Sequence, residues 1–231
     1  MKHKAILSIL FTIIISFISN FSSLAQYADK APLIQAVLNN TSEVEKLLAE
    51  GADINQQDEK GYTALIWACM ASSDEKSREI AKLLIDKGAD VNIKANNGST
   101  ALIEAAANSQ EVFNLLLAKG ADIIAKRKDG TGAFYQSMLG MIYYGYDNIK
   151  LAEFLLENDA NVDEAPVSGG GEGSTPLIYA TRENKLDIAK FLIEHDANVN
   201  AKNVRNQTPL SLAEKAGHTE MIQLLKSNGA K

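Results

Sequence analysis

Few residues in this 231-residue chain are of types that do chemistry, and their spacing argues against most of it. There is one cysteine, Cys69, and three histidines, His3, His195 and His218. A single cysteine permits neither an internal disulfide nor a multi-cysteine metal site. Cys69 follows Ala68 in an apolar stretch and reads as a small buried hydrophobe, inert for want of exposure. His195 sits between Glu194 and Asp196 without a second ligand cluster, and a histidine at a helix C-terminus already suits the helix dipole. No metal and no other cofactor is expected. Gly169-Gly170-Gly171-Glu172-Gly173 runs into Ser174-Thr175 and a helix, superficially a phosphate cradle. It lacks the required lysine, carries a glutamate and follows no buried strand, so it reads as an inserted flexible loop.

Two charged groupings complete the inventory. Lys126-Arg127-Lys128 is the one basic run, next to Asp129, and reads as a solvated loop with room to dock an acidic partner. Asp147, Asp163, Glu164 and Glu172 could gather near tyrosines in an acid–base site, but glycine-rich loops give little of the fixed geometry such a pair needs. Overall, 23 Lys and Arg face 29 Asp and Glu, a net charge of −6, which leaves no basic excess for a phosphate backbone. Nucleic acid is therefore not an expected partner. With 46% apolar and 23% charged residues the chain has the composition of a folded protein.

The elements that must hold these residues come from two patterns. The first is at the N-terminus: basic Met1-Lys2-His3-Lys4, an apolar run from Ala5 to Phe21, then Ser23-Leu24-Ala25 with small residues at −3 and −1 before Gln26. These are the three parts of a secretory signal peptide over residues 1–25. The run is at the short end for spanning a bilayer of about 30 Å, so cleavage is favoured over an anchor. The mature chain would hold 206 residues at a net charge of −8, exported and free of the membrane, in the periplasm or secreted.

The second pattern fills the rest. Gly51-Ala52-Asp53-Ile54-Asn55 recurs as Gly88-Ala89-Asp90-Val91-Asn92 and Gly120-Ala121-Asp122-Ile123, then in variant form from Asp159 and Asp196, and Gly229-Ala230 closes the chain on it. A second phrase leads each unit: Thr63-Ala64-Leu65, Thr100-Ala101-Leu102, Thr175-Pro176-Leu177 and Thr208-Pro209-Leu210, with weaker copies at Ala31 and Gly132. A threonine before Pro or Ala caps a helix, and the glycine of the first phrase suits a left-handed stop. Leu65 and Ala68, or Leu177 and Ala180, give a narrow apolar face; Ile188, Phe191 and Leu192 give a second helix a fuller one. No such pair buries its faces alone, so the units must stack.

These phrases make the chain resemble the ankyrin-repeat family. The resemblance implies an all-α solenoid of helix-turn-helix units joined by β-turn or hairpin loops, in six repeats at about 28–60, 61–97, 98–129, 130–172, 173–205 and 206–231. His218, in Gly217-His218-Thr219-Glu220, resembles the family's inter-helix turn. The histidine expected after Thr-Pro-Leu is replaced by Ile34, Ile66, Ile103, Tyr135, Ile178 and Ser211. Extra residues fall at Ser72–Ser77 in unit two and at Ser168–Gly173 in unit four, expected in loops, and around Tyr143–Asn148 in unit four, where they lengthen the first helix or its turn.

The resemblance further implies a protein partner bound on the concave face of loop tips and first helices. Carried over by position, that face takes Lys60, Tyr62 and Trp67; Asn97, Ser99 and Glu104; Lys128 and Gln136; Tyr179 and Arg182; and Arg205. Tyr62, Trp67 and Tyr179 are of the types that dominate interfaces. The reading is a monomeric, exported, non-enzymatic binding module. The alternatives are a secreted effector acting on a host protein, and an enzyme with its site in the fourth-unit insertions.

Overall fold

The computed structural model describes residues 31–231 apart from 40 and 170, so the signal-type segment lies outside the described residues. Twelve α-helices are present among them, in pairs: α1 (Pro32–Asn39) with α2 (Thr41–Ala49), α3 (Ala64–Met70) with α4 (Glu75–Asp86), α5 (Ala101–Asn108) with α6 (Gln110–Ala118), α7 (Ala133–Leu139) with α8 (Ile149–Glu157), α9 (Pro176–Arg182) with α10 (Leu186–Glu194), and α11 (Pro209–Ala216) with α12 (Thr219–Ser227). None of the described helices is long and apolar enough to cross a membrane.

The leading phrase acts as the sequence suggests. The hydroxyls of Thr63, Thr100, Thr175 and Thr208 accept from the backbone N–H groups of Ile66, Ile103, Ile178 and Ser211 at 3.2, 3.3, 3.4 and 3.1 Å. Each cap is worth about 1 kcal/mol. First helices stack on one another (α1, α3, α5, α7, and then α9 on α11), with the second helices behind them. Leu33, Leu65, Leu102 and Leu177 are buried in the seam, as are the isoleucines that stand at the family's histidine position, Ile34, Ile66, Ile103 and Ile178.

The closing phrase ties neighbours together. Asn55 Oδ1 accepts from Asp90 N at 2.9 Å, Asn92 Oδ1 from Asp122 N at 2.9 Å, Asp163 Oδ1 from Asn198 N at 3.1 Å, and Asn200 Oδ1 from Lys231 N at 2.8 Å. The series skips one step. Ile124 occupies the asparagine position after unit three, is 70% exposed, and has nothing to offer the next turn.

The insertions depart from the loop expectation in one place. In unit two, Asp74 caps the second helix through Ser77 N at 2.9 Å, and Glu75, Lys76 and Ser77 become the first turn of α4. The cap moves upstream and the helix lengthens to 12 residues, so only Ala71–Asp74 is loop. In unit four, α7 continues into a π-helical segment, Gly140–Tyr144, closed by Gly145 at φ +72°. Gly140 has no alternative: a Cβ there would run into the Ala107 carbonyl oxygen of α5. The hairpin character of the loops is slight, with one isolated antiparallel bridge, Gln57 to Thr63, among the described residues.

Candidate protein-binding face

Four of the loops before a first helix, those leading to α3, α5, α7 and α11, end in a tight turn, closed by Gly61 N to Asp58 O at 2.9 Å, Gly98 N to Ala95 O at 2.8 Å, Gly130 N to Arg127 O at 3.0 Å and Asn206 N to Asn203 O at 2.9 Å. The fourth turn residue is left-handed in each, from φ +56° at Asn206 to +87° at Gly130, which is why glycine or asparagine stands there. A Cβ on Gly61 would also meet Asn96 N at 2.8 Å, because consecutive tips touch. They touch through main chain: Asn96 N donates to Lys60 O, Lys128 N to Asn97 O, Val167 N to Asp129 O and Val204 N to Glu172 O, at 2.8, 2.8, 2.9 and 3.2 Å. The tips are thus joined into one rail.

The expected site residues divide between that rail and the interior. Lys60, Asn97, Lys128, Arg182 and Arg205 are exposed. Tyr62, Trp67, Gln136 and Tyr179 are half-buried. Trp67 Nε1 donates to Asp58 Oδ2 at 3.0 Å, and its ring lies 5.3 Å from that of Tyr62, whose hydroxyl accepts from Asn97 Nδ2 at 2.9 Å. Asp58 Oδ1 accepts from the Lys60 and Tyr62 amides, at 2.9 Å each. Burial and nearby Glu104 raise the Tyr62 phenol above its ordinary range. Trp67 therefore braces its own tip.

Ser99 and Glu104 do not reach the open face; both are buried. Ser99 Oγ donates to Glu104 Oε1, and Arg127 reaches the same pair, from Nε to Ser99 Oγ at 3.1 Å and from Nη2 to Glu104 Oε1 at 2.5 Å. Gln136, with its amide oxygen turned inward, accepts from the Arg127 guanidinium. The basic run expected as a solvated loop is correspondingly divided. Arg127 belongs to this clasp, Lys126 Nζ pairs with Glu164 Oε2 at 2.8 Å, and only Lys128 stands clear. Glu164 is 5% exposed at a place where Ala125 and Ala201 sit in neighbouring units. Its burial raises its pKa despite Lys126, which crosses space left open by Gly132 in the threonine position.

The two fourth-unit insertions meet at Tyr179. The Tyr135 and Tyr143 rings lie edge-on to it at 6.2 and 6.1 Å, Arg182 sits over its face at 4.6 Å, and Gly171 packs against its hydroxyl. Arg182 bonds the Tyr143 hydroxyl and pairs with Glu183 Oε1 at 3.0 Å. Burial pushes the Tyr143 phenol up to about 12 and raises Tyr135 as well. The carboxylates considered for acid–base work are dispersed: Asp163 binds Asn198 N, Glu164 pairs with Lys126, Glu172 accepts from Gly169 N at 3.1 Å, and Asp147 is exposed. No group of His, Cys, Asp and Glu able to hold a metal occurs among the described residues.

The remaining candidates are structural. Cys69 is wholly buried, and burial raises its thiol far above the ordinary range. His195 Nδ1 meets Phe191 O at 2.8 Å, and His218 Nδ1 meets Thr181 O of the preceding unit at 3.2 Å. Sequence reasoning missed Asp58 and Arg127 as organisers, and Val167 and Val204 as exposed tip residues. The signal for Arg127 was its register, level with Asp58 and Asn203 at the first turn residue.

A family model described as ankyrin repeats matches residues 33–127 and 140–231, in three copies. No curated protein matches the chain. The matched segments span most of the sequence, and the interval between them holds the fourth tip and α7, where glycine replaces the capping threonine. On the matched segments, the capped helix pairs and the joined turns, the chain belongs to the ankyrin-repeat family.

Proposed function

We propose that this chain is a monomeric, exported, non-enzymatic scaffold of six ankyrin repeats that binds a protein partner across its loop tips and first helices. Ankyrin repeats are in general protein–protein interaction modules. The observation that carries the reading is the main-chain rail, which fixes successive tips while leaving Lys60, Lys128 and Arg205 exposed on it. A preorganised surface spends little ordering entropy on binding, which is what a recognition face needs. The dispersal of the candidate carboxylates supports a binding role over a catalytic one.

Tyr62 and Trp67 brace a tip, so altering them would confuse docking with stability. The test uses Lys60→Glu, Lys128→Glu and Arg205→Glu together, against a control at the opposite turns, Asp53→Ala with Asp122→Ala. Partner capture from the exported fraction should fall at least tenfold in the first variant only, with unchanged helical circular dichroism. Equal capture by both variants removes the tip face from the reading. Export is supported by the basic start, apolar run and small-residue site at Ser23-Leu24-Ala25. N-terminal sequencing of the chain from the exported fraction should begin at Gln26; a chain retained inside the cell overturns that part.

A further inference from the structure

Four residues occupy equivalent rungs of the rail, each donating its amide to the tip before it: Asn96, Lys128, Val167 and Val204. The last two are valines, 75% and 64% exposed, among the most exposed large apolar side chains described. A lone exposed valine needs no explanation, but two on consecutive rungs form a row.

The charges beside that row are of one available sign. Lys128, Lys202 and Arg205 are exposed, and no carboxylate pairs with any of them among the described residues. The carboxylates on the same edge are engaged within their own loops: Asp129 Oδ1 accepts from Thr131 N at 3.0 Å and from its hydroxyl at 2.7 Å, and Glu172 Oε1 accepts from Gly169 N at 3.1 Å. Glu164 is buried against Lys126. Tip two differs: Glu59 and Lys60 sit side by side, and Asn96 reaches back to Glu59 O at 3.0 Å. The exposed apolar side chains thus fall on the tips of units five and six, with Lys128, Lys202 and Arg205 beside them.

We infer that this edge takes an extended acidic segment of a partner protein, its carboxylates meeting Lys128, Lys202 and Arg205 and its apolar side chains lying on Val167 and Val204. The inference rests on the tip face being the docking surface, and it names the chemistry docked there. Complementary charge would act chiefly on encounter rate and register, and the valine row on residence.

The test is selection of a displayed random 12-residue peptide library on the purified protein, followed by fluorescence-anisotropy titration of the enriched peptides at 50 and 300 mM salt. Enriched peptides should carry an excess of Asp and Glu with at least two aliphatic residues, and should bind at least fivefold more weakly at the higher salt. Lys128→Glu with Arg205→Glu should weaken them at least tenfold, and Val167→Asp with Val204→Asp comparably, while Asp53→Ala with Asp122→Ala, on the opposite turns, changes them less than twofold. All of these side chains are exposed, so unchanged thermal melting verifies folding. Neutral or basic peptides that still lose binding in the tip variants overturn the acidic-segment inference and leave the tip-face reading standing. Peptides indifferent to every tip variant overturn both.

Discussion

Between units three and four, α5 and α7 lie close, and a clasp of Ser99, Glu104, Arg127 and Gln136 is sewn between the tips and the helices. Between units four and five, α7 and α9 stand further apart, and the Tyr135, Tyr143 and Tyr179 rings with Arg182 fill the opening. The difference follows from length. Unit three is 32 residues from the next start and keeps regular spacing, so a short polar bridge reaches across it. Unit four is 43 residues, and its π-helical extension and glycine loop hold the neighbours off by more than a leucine or alanine can cover. Polar clasps specify register through fixed donors and acceptors, whereas aromatic wedges fill volume with looser angular demands. One junction is keyed and the other is packed.

Breaking the key should cost most. Arg127→Ala leaves the Glu104 carboxylate buried without its cation, and removing one partner of such a pair costs about 3 kcal/mol. Urea unfolding followed by circular dichroism reads it directly; a midpoint equal to the parent would show that the clasp adds nothing. Gly140→Ala is next, because the new methyl must displace the Ala107 carbonyl of α5, an overpacking worth about 1–3 kcal/mol. A crystal structure of that variant should show α5 and α7 further apart, and an unshifted pair would contradict the close approach.

The wedge should be softer. Tyr179→Ala removes two edge-on partners and the platform under Arg182, a loss of about 1.5 kcal/mol from ring pairing and cation stacking. Hydrogen exchange should quicken in α9 and α10 and stay near parent values in α3 and α4. Uniform quickening along the chain would mean that the wedge is not a local device. The smallest effect expected is a gain. The pKa of Glu164 is raised by burial, so the folded state holds its proton more tightly than the unfolded chain does. Stability through this group then falls as pH rises from the ordinary carboxylate range through the raised value. Glu164→Gln should raise the melting temperature slightly at pH 7, by an amount that shrinks towards pH 4. Destabilisation at pH 7 would show that the Lys126 pair outweighs the burial.

How far the fold could be read from the chain depends on how local its causes are. A threonine cap or a terminal asparagine acts over a few residues or onto the same phrase one unit away, so the phrases that repeat in Thr63-Ala64-Leu65 and Ala52-Asp53-Ile54-Asn55 spell out helix starts and turn-to-turn bonds. Ser99 and Glu104 were misplaced because the group that buries them, Arg127, arrives 23 residues after Glu104 from another loop. Trp67 was placed on the open face by its position in the unit, but an aspartate nine residues earlier supplies its partner. The unit-two insertion was given to a loop because spacing locates extra residues without saying which side of a cap they fall on. Asp74 decides that, and it looks in the sequence like one more polar loop residue.

The rail has a consequence for how this molecule can change. Its rungs are amide-to-carbonyl bonds, and such bonds are indifferent to the side chains that the same residues carry. Asn96, Lys128, Val167 and Val204 hold the same backbone station with three kinds of side chain, an amide, an ammonium and, twice, an isopropyl group. Text can be rewritten along that line without altering the page: substitutions there change what is recognised and leave stability almost untouched. A lineage starting from this chain could acquire a new partner one tip at a time, each step reversible and none of them passing through an unfolded intermediate.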